Sequence, residues 1–128
     1  VSNELEQLCT VRGVYGNIDG LEIRKTHPKE LYFELEGVAV YMIHIGGYPG
    51  RYEKGVKEKL QTVQPKLFIS GHSHICKIMK DNQLNLVHMN PGAIGNKGFQ
   101  KKRTMIRFSL EDGKIFDIKV LEYERIYE

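Results

Sequence analysis

The sequence has no tryptophan, two cysteines, four prolines and no long apolar run. Each scarcity removes a class of protein. Cys9 and Cys76 sit in unrelated segments, so the chain is not a small disulfide-stapled domain. Two scattered thiols are expected to stay free in a reducing compartment, which points to the cytoplasm. The apolar stretches are short, of the size of residues 38–45, and far below the roughly 20 residues that a membrane-spanning helix needs. No membrane association is expected. The opening Val1-Ser2-Asn3-Glu4 carries neither a basic start nor an apolar leader. An excess of one charge is also missing: 19 basic against 16 acidic side chains give +3. That balance gives no clear nucleic-acid footprint, which needs a clustered basic face.

What remains is an ordinary globular composition, 41% hydrophobic and 27% charged over 128 residues. It suits one domain spanning 1–128 with a real core. Residues 4–8, with Leu5 and Leu8 on one face, read as the end of a helix. Residues 11–15 read as a short strand entering the turn Gly16-Asn17-Ile18-Asp19-Gly20. Residues 31–36 alternate, Gly37 breaks the pattern, and the apolar run 38–44 follows, which predicts a hairpin whose second strand is buried. Residues 46–50 form a glycine-rich loop. Val56, Leu60 and Val63 set a helix over 52–64 that Pro65 stops. Residues 67–69 predict a buried strand, 75–80 and 84–89 a hairpin across Asp81-Asn82, and 104–110 and 114–123 another joined by Glu111-Asp112-Gly113. Strands outnumber helices, so the fold class is α/β with layered α and β elements.

Three polar turns each follow a strand: Asn17 after 11–15, His44 at the end of 38–43, and His72 with His74 after 67–70. Side chains at adjacent strand ends can converge on one point. Neutral imidazole binds borderline metals, and an Asn carbonyl oxygen adds a ligand. Single histidines are usually surface or hydrogen-bonded residues, and His27 and His88 are read that way. His44 alone would be a core histidine. Gly71-His72-Ser73-His74 differs, because packing does not explain two histidines in one glycine turn.

Gly16-Asn17-Ile18-Asp19, the strand-end His44, Gly71-His72-Ser73-His74 and Asn90-Pro91-Gly92, in this order, resemble the later motifs of the calcineurin-like metallophosphoesterases. The similarity is to their small archaeal and bacterial phosphodiesterase subgroup, and to the C-terminal two-thirds of that fold. The resemblance implies a β-sandwich flanked by helices with a dinuclear metal site at the strand ends. It implies that Asn17, His44 and His72 ligate one metal, that His74 ligates the other, and that Asp19 supports them. Asn17, Asp19 and His44 are the catalytic candidates. The implied reaction is phosphodiester hydrolysis by a metal-activated hydroxide. Manganese is the first expectation for the cofactor, with zinc, iron or nickel as alternatives.

Three departures from the family pattern modify these expectations. The family's initial Asp-x-His and Gly-Asp motifs have no match here, so the bridging carboxylate is missing. Two divalent ions need anionic ligands, and this chain is expected to hold at most one, on Asn17, His44 and His72 with His74 nearby. Three histidines plus water would suit zinc. Ile18 stands where many relatives place a proton-donating histidine. After His44, the residues Gly46 and Gly47 let the backbone pass close to a metal or phosphate, and Arg51 can clamp a phosphate oxygen, although a solvated Arg51 is the plainer reading. The basic group Lys97, Lys101, Lys102 and Arg103 reads as a solvated loop. The expected partner is a phosphate-ester substrate, and an open sheet edge would permit a homo-oligomer. The alternative function is a non-catalytic scaffold of the same fold, as in a eukaryotic retromer subunit of similar sequence pattern.

Overall fold

The computed structural model describes residues 2–16, 27–95 and 102–124. Helix α1 (Ser2–Glu6) opens the chain. It ends before Leu8, and its expected apolar face is not buried: Leu5 and Leu8 are 44% and 83% exposed. The strand expected at 11–15 is a correction. Tyr15 N–H donates to the Pro28 carbonyl at 3.0 Å, but the segment joins no sheet ladder among the described residues. Gly13 interrupts it, and a glycine inside so short a run weakens a strand.

Strands β1 (Glu30–Leu35) and β2 (Val38–Ile43) form the expected hairpin. Glu36 and Gly37, at φ 50° and 77°, supply the left-handed turn that matches strand twist. The loop at 46–50 is more ordered than its composition suggests. It folds into a small ribbon of β3 (Gly47–Tyr48) and β4 (Arg51–Tyr52) around Pro49-Gly50. Helix α2 (Val56–Val63) therefore starts later than residue 52, because Arg51 and Tyr52 are committed to the ribbon. Gln64, left-handed at φ 52°, and Pro65 end it as expected.

Strand β5 (Leu67–Ser70) is followed by the hairpin of β6 (Cys76–Asp81) and β7 (Leu86–Pro91). Its turn covers residues 82–85, not Asp81-Asn82 alone. Asp81 Oδ1 accepts the N–H groups of Gln83 and Leu84 at 2.9 and 3.0 Å, and this Asx turn removes Leu84 from the strand. Strands β8 (Lys102–Glu111) and β9 (Lys114–Glu124) pair across Asp112-Gly113.

The main sheet has the order β1-β2-β5-β7-β6. Strands β2, β5 and β7 run parallel, with β1 and β6 antiparallel at the edges. On one face Tyr41, Phe68 and Leu86 pack with Val56 and Leu60 of α2. On the other, Val38, Val40, Leu67 and Met89 pack against Ile106, Phe108, Leu110 and Ile115 of the β8–β9 ribbon. Sheet, ribbon and helix thus form the layered α/β arrangement that the pattern predicts. Among the described residues no helix is long and apolar enough to cross a membrane.

Candidate functional site

Because β2, β5 and β7 are parallel, their C-terminal ends lie along one edge of the sheet. Each end carries one of the polar segments: His44 after β2, Gly71-His72-Ser73-His74 after β5, and Asn90-Pro91-Gly92 closing β7. This is the edge where α/β sheets hold ligands, since the side chains there sit on rigid neighbouring strands.

His44 and His72 come together. Their ring centroids are 5.4 Å apart and their planes meet at 82°. Two imidazoles at that separation can share one ion through bonds of ~2.1 Å. Glycines flank the His44 ring on two sides. A Cβ at Gly16 would lie 3.2 Å from its Nε2, and one at Gly71 would lie 3.5 Å from its Nδ1. Gly71 N–H also donates to the His44 carbonyl at 2.8 Å, which ties the two strand ends. The glycines of both motifs thus make room for a ring between two backbones.

The loop bearing the paired histidines is strained. His72 and His74 have φ of 70° and 62°, a region that non-glycine residues rarely occupy. Asn90 braces this loop, a role that sequence reasoning missed although the Asn90-Pro91-Gly92 motif was its signal. Its amide Nδ2 donates to the Gly71 carbonyl and to Ser73 Oγ, both at 3.1 Å, and its Oδ1 accepts Gly92 N–H at 3.0 Å. Ser73 Oγ in turn accepts Ile75 N–H at 3.2 Å.

The full expected ligand set is not assembled among the described residues. Asn17 and Asp19 lie outside them, as do Lys97 and Lys101. Among the described residues no group of three or more His, Cys, Asp or Glu side chains is placed to hold an ion. His74 therefore does not complete a three-histidine cluster with His44 and His72. Among the described residues no carboxylate joins the two imidazoles in a group placed to hold an ion, and such a donor set suits one borderline ion with a further neutral ligand better than two ions.

Two cavities flank the histidine pair. One of about 280 Å³ is lined by Tyr15, Gly16, His44, Lys29, Lys54 and Glu53 among others. The lysines there carried no sequence signal beyond charge. The second, about 320 Å³, brings Gly46, Gly47 and Arg51 to the same wall as His72. The two glycines also meet a packing demand. A Cβ at Gly46 would lie 2.5 Å from Phe68 Cζ. At Gly47, with φ 75°, a Cβ would lie 2.4 Å from the Arg51 carbonyl. Packing of the β3–β4 ribbon demands them. Lys102 and Arg103 are engaged on β9: Lys102 pairs with Glu122 at 3.3 Å, and Arg103 Nε donates to the Glu124 carbonyl at 3.2 Å. A larger cavity of about 810 Å³, lined by Gln61, Gln64, Gln83 and Asn85, lies at the opposite end of β5 and contains none of these histidines.

His88 is a hydrogen-bonded core residue. It is fully buried, with Nδ1 3.2 Å from the Phe68 carbonyl and its ring 5.1 Å from the Phe68 ring. Burial pulls its pKa below the usual histidine value, outweighing the hydrogen bond to Phe68.

The sequence model of the calcineurin-like phosphoesterase superfamily domain matches residues 1–113. No curated protein matches the sequence. Among solved structures the chain is similar to Vps29 complexed with zinc from Entamoeba histolytica, with TM-score 0.71 and 12% identity over 98% of this chain and 75% of that one. It is similar to a novel archaeal phosphodiesterase, with TM-score 0.66 and 17% identity over 93% of this chain and 74% of that one. A predicted phosphoesterase from Streptococcus pneumoniae TIGR4 gives TM-score 0.62 and 18% identity over 88% and 70% of the two chains. At such identities the structural likeness speaks for the fold, and the family match covers most of the sequence. The chain belongs to the calcineurin-like phosphoesterase superfamily.

Proposed function

We propose that this protein is a metal-dependent phosphoesterase that acts on phosphodiesters, with one divalent ion held by His44 and His72 and a further ligand from Asn17. The observation that carries this reading is the edge-on His44–His72 pair at the C-terminal edge of three parallel strands. A bound ion supplies Lewis acidity toward the phosphoryl oxygens and lowers the pKa of water. The chain's own residues supply the rest. Arg51 on one side, and Lys29 and Lys54 on the other, attract and orient the anionic ester. Ile18 gives the leaving group no proton, so esters with good leaving groups are the better substrates. Manganese is the first metal to try. The free thiols Cys9 and Cys76 support a reducing, cytoplasmic setting.

The test is hydrolysis of bis(p-nitrophenyl) phosphate with added Mn²⁺, alongside His44→Ala and His72→Ala. Turnover that needs the metal and falls to background in both variants is the expected result. Turnover untouched by both substitutions, or two tightly bound ions per chain, would sink the reading.

A second reading, a non-catalytic scaffold, is favoured by the apolar surface of the β8–β9 ribbon. Met105, Phe116 and Tyr123 are 39–43% exposed on the side of the ribbon opposite Ile106 and Phe108, which offers a face for a partner or a second copy. Absence of metal-dependent turnover together with a stable dimer in light scattering would favour it.

A further inference from the structure

The 320 Å³ cavity contains a feature that hydrolysis at His44 and His72 does not require. His88 lines it from β7, together with Asn90, His72, Arg51, Lys77 and Tyr48. The Phe68 carbonyl can only accept a hydrogen bond, so Nδ1 of His88 is the protonated nitrogen. In the neutral ring Nε2 is then a bare acceptor. Among the described residues it is a buried side-chain nitrogen with no hydrogen-bond partner. A buried acceptor left unmade costs more than an ordinary hydrogen bond returns. A leucine or phenylalanine would fill this place beside Phe68 without that cost. Burial keeps the ring neutral and the lone pair available.

The wall also carries two cations, Arg51 and Lys77, against one carboxylate, Glu53, among otherwise neutral residues. Arg51 is exposed at the rim, and the Lys77 ammonium stands 3.8 Å from the centre of the Tyr48 ring. A contact of that kind holds a lysine more loosely than a buried ion pair does. Nε2 is closed to solvent, so a ligand reaches it by displacing part of this wall. The cavity therefore combines cations for an anion with one neutral acceptor for a hydrogen-bond donor.

We propose that this cavity is a subsite for the non-reacting arm of a phosphate ester, and that it selects an arm bearing a hydroxyl or amino group, which donates to His88 Nε2 while Arg51 and Lys77 hold a phosphate oxygen. The phosphate class rests on the phosphoesterase reading, whereas the preference for a donor-bearing arm rests on His88 alone.

The test reads binding in the metal-free protein, where no turnover occurs. Glycerol phosphate and n-propyl phosphate have the same charge and similar arms, but only the first carries hydroxyl donors on its arm. The wild-type protein is expected to bind glycerol phosphate about tenfold tighter in calorimetry, the worth of about one hydrogen bond. His88→Phe is expected to abolish that ratio, and Arg51→Gln to weaken both ligands alike. In the wild-type protein, saturation with glycerol phosphate should shift the His88 Nε2 resonance, a readout that does not depend on any variant folding. Equal affinities in the wild type, a ratio retained in His88→Phe, or an unmoved Nε2 resonance, which would indicate an internal water only, each overturn the proposal. Hydrolysis of bis(p-nitrophenyl) phosphate without the tenfold ratio would remove only the subsite. The ratio without hydrolysis would remove the enzyme reading and leave the subsite standing.

Discussion

His44 lies between the backbones of Gly16 and Gly71, and a side chain at Gly16 would press on its ring at 3.2 Å. The sequence showed the glycines and the histidines, and it placed His44 and His72 at strand ends. It did not show what holds the His72 loop in its strained shape. That brace is Asn90, which reaches Gly71 and Ser73 across 19 and 17 residues of chain. The Asn90-Pro91-Gly92 motif marks the residue, but local sequence does not say which loop it reaches across from β7 to β5. Replacing Asn90 with Ala leaves the Gly71 carbonyl without this donor and is expected to cost about 1–3 kcal/mol. Asn90→Asp should not rescue it, because an ionised carboxylate cannot donate. Urea denaturation of both variants checks this, and an unchanged midpoint for Asn90→Ala would remove the brace from the account.

Among the elements, β1 and α2 are joined through one carboxylate. The Tyr41 hydroxyl donates to Glu30, and Lys59 of α2 approaches Glu30 Oε1 at 3.2 Å. The Tyr41 hydrogen bond holds the Glu30 pKa below its usual 4.5, helped by Lys59 and opposed by burial. A carboxylate with a depressed folded pKa stabilises the protein in full above its unfolded value. That contribution is lost as pH falls through the folded value. Stability should therefore drop on acidification below 4.5, and Tyr41→Phe should lose less over the same descent. Thermal melts at stepped pH measure the difference, and parallel curves for the two proteins would exclude the linkage. The other side of Tyr41 was easier to foresee, since the apolar run of β2 already demanded burial. The start of α2 was not legible. Val56, Leu60 and Val63 give the helix its face, but the β3–β4 ribbon claims Arg51 and Tyr52, and that ribbon is pinned by a Ser70 Oγ–H bond to the Gly47 carbonyl at 3.2 Å.

For the molecule as a whole, the β8–β9 ribbon is attached to the sheet mainly by apolar packing, with Ile106, Phe108 and Leu110 over Val38, Val40, Leu67 and Met89. The two hairpin turns add a bond from Gly113 N–H to the Glu36 carbonyl at 2.7 Å. Phe108 is half-buried, so Phe108→Ala is expected to cost about 2–3 kcal/mol, below the range for a fully buried ring. The ribbon meets the end of β7 through Thr104, whereas Phe108 packs over the body of the sheet, so the ring signals of His44 and His72 should keep their chemical shifts. A loss under 1 kcal/mol would mean that the layers are held by something other than this packing.

Local sequence was enough for the hairpins, the buried run of β2, the stop at Pro65 and the identity of the paired histidines. These follow from alternation, glycine turns and spacing, all of which are local. Which side chains meet was set by the packing of the strands in three dimensions. It brought His44 to His72, set Arg51 on the wall beside His72, and buried His88 with a nitrogen that has no partner among the described residues. Those outcomes depend on the order β1-β2-β5-β7-β6, which places residues far apart in the chain on neighbouring parallel strands. No window of local sequence encodes that adjacency.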